Sequence, residues 1–286
     1  MINCLAIIGV GLIGSSLALS LKQSGYVKKV IGCGRSEAGL QKGVELGVLD
    51  DYSLSLSDAV SDADVVIVAV PLGTMAAVFE QIQPALKASA IVSDVGSVKA
   101  SVVEDARAGL QDAFARFVPG HPIAGSEHSG IEAGFASLYQ GRKIILTPVT
   151  ETSEEALQVI DAMWRATGAV VESMDVDHHD RVLAATSHLP HMLAFSLVSH
   201  LSKLSEQDEI FNYAAGGFRD FTRIASSDPV MWRDICLANG SALLELIDGF
   251  KAELDQISLS IREQNPDELL EFFRHSKHTR DQLRNL

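Results

Sequence analysis

The segment Gly9-Val-Gly-Leu-Ile-Gly14 follows the apolar run Leu5–Ile8 directly and leads directly into a helical stretch, Ser15–Ser24. This constrains the fold more than any other feature, because three glycines at this spacing belong to a strand that turns sharply into a helix. Gly9 permits the tight turn, Gly11 lets the backbone approach a pyrophosphate, and Gly14 lets helix and strand pack closely while the helix N-terminus faces the phosphates. Gly9, Gly11, Leu12, Ile13 and Gly14 are therefore the expected cofactor-binding turn of a dinucleotide-binding domain. A glycine-rich turn without a ligand is the bland alternative, and it does not require the flanking strand and helix.

Short β-branched runs then alternate with helical spacing through the first half of the chain, as in a parallel sheet of βαβ units. Strands are expected at Leu5–Ile8, Val30–Cys33, Val65–Val70, Ala90–Ser93, Arg116–Val118, Lys143–Thr147 and Ala169–Ser173, with helices at Gly39–Leu46, Met75–Leu86 and Ser153–Thr167 between them. The strands are apolar on both faces, as expected when helices cover both sides. From about Asp175 no strand is expected, and Arg181–Leu204, Val230–Ser258 and Asp267–Leu283 carry helical apolar spacing. The fold class is α/β: a Rossmann-type dinucleotide-binding domain over residues 1–174, then an all-helical substrate and dimerisation domain over 175–286.

A chain of 286 residues with 47% hydrophobic and 21% charged residues is long enough for a substantial core. Its net charge of −14 argues against a general nucleic-acid or anionic-membrane surface, although a local basic pocket for a small anion fits within it. Three widely spaced cysteines, Cys4, Cys33 and Cys236, suggest neither a disulfide framework nor zinc, and point to a reducing cytoplasm. The N-terminus lacks a basic leader, and no uninterrupted apolar run reaches the roughly 18 residues of a spanning helix.

Cofactor choice is read at the end of the second strand, where an acid would bind the ribose 2′-hydroxyl of NAD. The residues there are Gly32-Cys-Gly-Arg-Ser36. With no acid present, Arg35 and Ser36 could accept a 2′-phosphate, favouring NADP over NAD; alternatively, Arg35 is a solvated residue stacking on adenine. On the nicotinamide side, Val65–Val70 runs into Pro71, so Val70 and Pro71 are expected at the cofactor. Ala90–Ser93 runs into Asp94-Val-Gly-Ser-Val-Lys99, where Ser97 offers a hydroxyl to the site or caps the next helix. A short polar loop leaving a buried strand then presents His121 to the ligand crevice, where a dehydrogenase needs a base.

Five ordered motifs carry a resemblance that covers nearly the whole chain. They are residues 9–18, Asp94–Lys99, Gly120-His-Pro-Ile-Ala-Gly-Ser-Glu127, Ser187-His-Leu-Pro-His191 and Gly216-Gly-Phe-Arg-Asp-Phe-Thr-Arg223. Together they resemble the prephenate/arogenate dehydrogenase family of tyrosine biosynthesis. The resemblance implies NAD(P)-dependent oxidative decarboxylation of a cyclohexadienol to a phenol, in a homodimer joined through the helical domain. It makes His121 the base for the C4 hydroxyl and Ser97 a hydrogen-bonding partner near that hydroxyl. It makes Arg223 the anchor of the ring carboxylate, with Arg219 as substitute; the plain alternative for Arg223 is an ion pair with Asp220 or Asp228. His188 and Gly216 are implied in the substrate pocket, and Glu127 as an acid that gates the site or starts a helix.

His188 and His191 stand three apart with Pro190 between them, which interrupts the helical ladder, and no third ligand accompanies them for a metal. His191 is expected to pack or to lie at an interface, Trp232 to pack in the core with the substrate pocket as its alternative, and His128, His178 and His179 to be solvated loop residues. Two rival classes stay open. Another two-domain β-hydroxyacid or imine dehydrogenase would use a helical-domain lysine, and an NADP-sensing protein would need no convergence of Ser97, His121 and Arg223. No single acid separates prephenate from arogenate as substrate.

Overall fold

Strand β1 (Ile2–Ile8) sends Leu5 and Ile7 into one apolar cluster and Ala6 and Ile8 into another, the two-residue alternation of a strand covered on both faces. It pairs in parallel with β2 (Val27–Cys33) on one side and β4 (Val65–Val68) on the other. With β3 (Asp51–Ser53), β5 (Ile91–Asp94) and β6 (Phe117–Val118) the sheet has the order β3-β2-β1-β4-β5-β6. This is the order of a dinucleotide-binding sheet, whose switch point lies between the carboxyl ends of β1 and β4. Helices α1 (Leu12–Gln23) and α2 (Glu37–Glu45) pack Leu17, Leu21 and Leu40 on one face. Helices α3 (Leu56–Val60), α4 (Met75–Ile82) and α5 (Ala100–Leu110) pack Val60, Phe79 and Val102 on the other. Each such side chain, fully buried, contributes about 1.5–3 kcal/mol relative to exposure. The computed structural model describes residues 1–126 and 128–283, which form two units, Met1–Gly240 and a second that begins at Ser241.

The runs near Lys143 and Ala169, expected in the same parallel sheet, form a separate one. β7 (Gly120–Pro122), β8 (Lys143–Leu146) and β9 (Val170–Ser173) pair in that order, with β7 antiparallel to β8. The change of sheet falls at Pro119, which has no N–H to extend β6 beyond two residues. Helix α6 (Glu154–Arg165) starts on the Ser153 side chain, which accepts the Ala156 amide at 3.2 Å, and buries Trp164 edge-on to Tyr139 at 5.2 Å. The Tyr139 hydroxyl donates to the Ile13 carbonyl at 2.6 Å, tying the segment before β8 to the glycine turn.

Beyond β9 only helices occur among the described residues: α7 (Val176–Leu183), α8 (Leu189–Leu201), α9 (Gln207–Asn212), α10 (Gly216–Thr222), α11 (Pro229–Ala238), α12 (Gly240–Arg262) and α13 (Pro266–Leu283). Between α7 and α8 the residues Ala184–His188 form a π-helical turn, one residue wider than an α turn, just ahead of Pro190. The expected run Val230–Ser258 breaks at Asn239, between α11 and α12. The helical stretch Val176–Leu201 is long and apolar enough by length and composition to cross a membrane, although no uninterrupted apolar run of that length was expected. Its polar residues His179, Asp180 and His188 are buried within the protein. In the second unit Asn265 caps α13 by accepting the Glu268 amide at 3.2 Å, and Glu268 accepts from Gln256 at 2.6 Å and Ser260 at 2.7 Å.

Candidate active site

The glycine turn is built for close approach. Gly9 has φ +93°, and a Cβ there would lie 2.3 Å from the Ala69 carbonyl oxygen at the end of β4. A Cβ on Gly14 would meet the Gly9 oxygen at 2.6 Å and Ile7 at 2.8 Å, so α1 can rest on β1 only with glycine here. On Gly11 it would meet nothing within 4 Å, and no side chain caps α1. The first-turn amides of α1 therefore have no capping side chain at the switch point, and the space beside Gly11 is open, which fits a pyrophosphate. Val70 and Pro71 leave β4 next to this turn. Arg35 is exposed past the end of β2, and the Ser36 oxygen accepts the Gly39 amide at 3.2 Å to cap α2, leaving its O–H free to donate.

His121 lies in β7, 8% exposed, rather than in a polar loop. A fully buried ion pair positions that strand. Lys99 Nζ donates to Asp94 Oδ2 at 2.5 Å and to the Gly120 carbonyl at 2.8 Å, and Asp94 accepts the Gly96 and Gly120 amides at 2.7 and 3.1 Å. Burial lowers the Lys99 pKa despite the attraction of Asp94. Ser97 lies half-buried in the turn between these two residues. It does not cap α5: the Lys99 and Ala100 amides both donate, at 2.8 Å, to Asp180 some eighty residues along the chain.

His179, expected to be solvated, is fully buried and joins this network. Its Nε2 is 2.9 Å from His121 Nδ1 and its Nδ1 is 2.7 Å from Asp180 Oδ1. The tract Asp175–Asp180, at the start of the expected second domain, opens α7, with Asp175 accepting the His178 amide at 3.0 Å. His178 stays exposed, while His179, Asp180, Leu183 and Ala184 turn inward together. That four-residue recurrence, following an Asp N-cap, was the signal in the sequence. Burial pushes the His121 pKa well below the usual histidine range, and the nearby His179, Lys99 and His188 act the same way. Burial alone would raise the Asp180 carboxyl, but hydrogen bonds from His179 and the Ala100 and Lys99 amides hold it below its usual value.

His188 is buried at the end of the π turn, and its Nδ1 is 3.2 Å from Asn239 Nδ2, which also donates to the Asp180 carbonyl at 2.8 Å. A carbonyl can only accept, so the amide nitrogen is the donor and His188 carries its proton on Nε2. Burial drives its pKa to about 4 against the pull of Asp180. Trp232 is buried with Val98 and Ile235, with His188 edge-on at 6.0 Å and His191 stacked at 3.9 Å. The exposed Arg223, just after α10, lies near enough to His191 for its charge to add to the lowering that burial causes there. Asp234 accepts the Gly73 amide at 3.1 Å, fastening α11 to the turn after Pro71. Gly216 is exposed at the start of α10, and Glu127 lies outside the described residues. Sequence reasoning gave no role to Asp94 and Lys99, although they bound a quoted motif, nor to His179, Asp180, Asn239 or Asp234, whose partners include groups that lie 51 to 161 residues away along the chain.

A dinucleotide turn, a buried neutral imidazole and a cation beyond it suit hydride removal from a hydroxyl-bearing carbon on an anionic substrate. Residues 17–173 match the family model "Prephenate dehydrogenase, nucleotide-binding domain", and residues 175–275 match "Prephenate dehydrogenase, dimerization domain". The chain is 40% identical over 278 residues to the cyclohexadienyl dehydrogenase of Zymomonas mobilis, covering 96% of this chain and 94% of that protein. It is 37% identical to the prephenate dehydrogenase of Bacillus subtilis, covering 96% and 74%. Among solved structures, prephenate dehydrogenase from Aquifex aeolicus with hydroxyphenyl propionate and NAD+ is similar with TM-score 0.92 and 38% identity, over 99% of both chains. Synechocystis arogenate dehydrogenase is similar with TM-score 0.81 and 28% identity, over 98% and 99%.

Proposed function

The chain belongs to the prephenate dehydrogenase family, and from that premise we propose how its own residues carry out the reaction. The protein is an NAD(P)-dependent dehydrogenase that oxidatively decarboxylates prephenate and/or arogenate, giving 4-hydroxyphenylpyruvate and/or tyrosine. When bound, the nicotinamide dinucleotide supplies the hydride acceptor for C4 of the ring. Gly9, Gly11, Leu12, Ile13, Gly14, Val70 and Pro71 hold it, and Arg35 with Ser36 takes a 2′-phosphate, favouring NADP.

His121 takes the proton of the C4 hydroxyl on Nε2 as the C4–H bond breaks and the C4 carbonyl forms. The C1–carboxylate bond then breaks, its electron pair enters the ring, and carbon dioxide leaves an aromatic phenolate that recovers the proton from His121. Ser97 hydrogen-bonds near that hydroxyl. Arg223 orients the ring carboxylate; holding the ground state tightly would slow its loss, so its role is placement more than affinity. The Nε2–H of His188 faces the substrate pocket as a neutral donor, Glu127 gates the site, and Gly216 lines it. Residues 175–286 form the substrate and dimerisation region of a homodimer. The family description of residues 175–275 supports this, as does the apolar surface of Leu244, Ile261 and Phe273, each more than half exposed.

The observation that carries this reading is a buried imidazole, kept neutral at working pH, with no hydrogen-bond partner on Nε2 among the described residues. The test is kcat/KM for prephenate and arogenate with NAD and NADP, in the wild type and in His121→Asn. Loss of kcat by about 10²–10⁴ with KM kept is expected. Reduction at 340 nm that survives His121→Asn refutes the base, and a strong NAD preference refutes the role of Arg35.

A further inference from the structure

We propose that His179 and Asp180 fix the tautomer of His121, keeping its proton on Nδ1 so that Nε2 is the bare nitrogen facing the substrate. The inference rests on the reading of His121 as the base and adds two positioning residues behind it. Both Asp180 oxygens accept backbone amides, those of Lys99 and Ala100, so the group is an ionised acceptor and carries no proton to give. His179 Nδ1, 2.7 Å from Oδ1, must be the donor. In the proposed arrangement His179 carries a single ring proton, on Nδ1, so its Nε2 is the acceptor and the donor across the 2.9 Å contact is His121 Nδ1–H. One lone pair is left on the His121 ring, at Nε2.

The same chain of bonds assists the proton transfer. His121 gains charge when it takes the hydroxyl proton, in a place where burial and the nearby ammonium of Lys99 disfavour charge. Lys99 is already engaged by Asp94 and the Gly120 carbonyl, and His188 by Asn239, so neither can relieve that cost. The Nδ1–H bond to His179, itself bonded to the Asp180 carboxylate, strengthens as the imidazolium forms. Asp180 also holds the first amides of α5, two and three residues past Ser97, so one carboxylate sets both the start of that helix and the orientation of the base.

Nitrogen-15 histidine correlation spectra of the full-length protein read the tautomer directly. The expected wild-type result is His121 protonated on Nδ1 and bare on Nε2; a spectrum with the proton on Nε2 overturns the proposal, whatever any variant does. In His179→Leu, kcat should fall by about 10²-fold, with KM changed less than about threefold. His179→Gln, whose amide can donate to Asp180 and whose carbonyl can accept from His121, should recover at least about tenfold of that loss. A His179→Leu enzyme with wild-type kcat, beside an inactive His121→Asn, overturns the positioning role and leaves the base standing. Retained activity in His121→Asn overturns both.

Discussion

Replacing Lys99 by methionine tests whether the strand bearing His121 hangs on the buried ion pair. Methionine keeps most of the volume and loses the charge, so the change is chiefly electrostatic. The ammonium lies 2.5 Å from Asp94 and 2.8 Å from the Gly120 carbonyl, and neither charged side chain is exposed at all. Breaking a buried pair by removing one partner costs about 3–5 kcal/mol, because the remaining charge stays in a medium that cannot solvate it. With a urea dependence of roughly 3 kcal/mol per M, a loss of about 4 kcal/mol moves the midpoint down by about 1.3 M. Both tryptophans, Trp164 and Trp232, lie in the unit Met1–Gly240, so their fluorescence follows the unfolding of that unit. The double variant Asp94→Asn with Lys99→Met should recover about half of the loss, because two neutral side chains can be buried without a stranded charge. A single-variant shift under about 0.3 M, or a double variant that loses the sum of both singles, would refute the reasoning.

Three further outcomes are expected. Because the folded-state pKa of His188 is about 4 and the unfolded chain titrates near 6.5, protons bind the unfolded chain first as pH falls, and stability declines from pH 6.5 downward. At pH 5 the loss from this one group is about 1.5 units at 1.36 kcal/mol each, or about 2 kcal/mol, and urea midpoints that fall equally in wild type and His188→Asn would contradict it. The activity of the wild type should hold from pH 8 to below 6.5 and then drop as His121 protonates, since its lowered pKa keeps the base neutral; a kcat limb centred at 6.5 or above argues for another group. Gly14→Val should cost about 1–3 kcal/mol by forcing α1 off β1, whereas Gly11→Ala should leave stability within about 0.5 kcal/mol and weaken dinucleotide binding, read by fluorescence titration.

What could be read from the sequence depended on whether the signal was local. The glycine turn, the apolar strands and the helical second half are written in short periods and in residues with one conformational use, and these position the cofactor turn. β3 escaped because Asp51-Tyr-Ser53 is a three-residue edge with no alternation, and β7 because Gly120 and Pro122 read as loop. His121 was visible through its motif, but its surroundings were not: His179 and Asp180 arrive from 58 and more residues away, in a tract whose polarity resembles a linker. Burial of a polar residue is decided by the partner that satisfies it, and that partner is a product of the tertiary fold.

The π turn at Ala184–His188 has a consequence for length variation. It holds one residue more than the helix on either side needs, so removing a single residue there would restore α-helical spacing into α8, with Pro190 still lacking an N–H to donate, while rotating the face of α8 by about 100°. His191 would swing away from the face of Trp232, while His179 and Asp180, before the turn, would keep their places. A one-residue deletion at this point therefore acts like a dial on the chain: it re-aims the α8 face that carries His191 while His179 and Asp180 upstream stay in place.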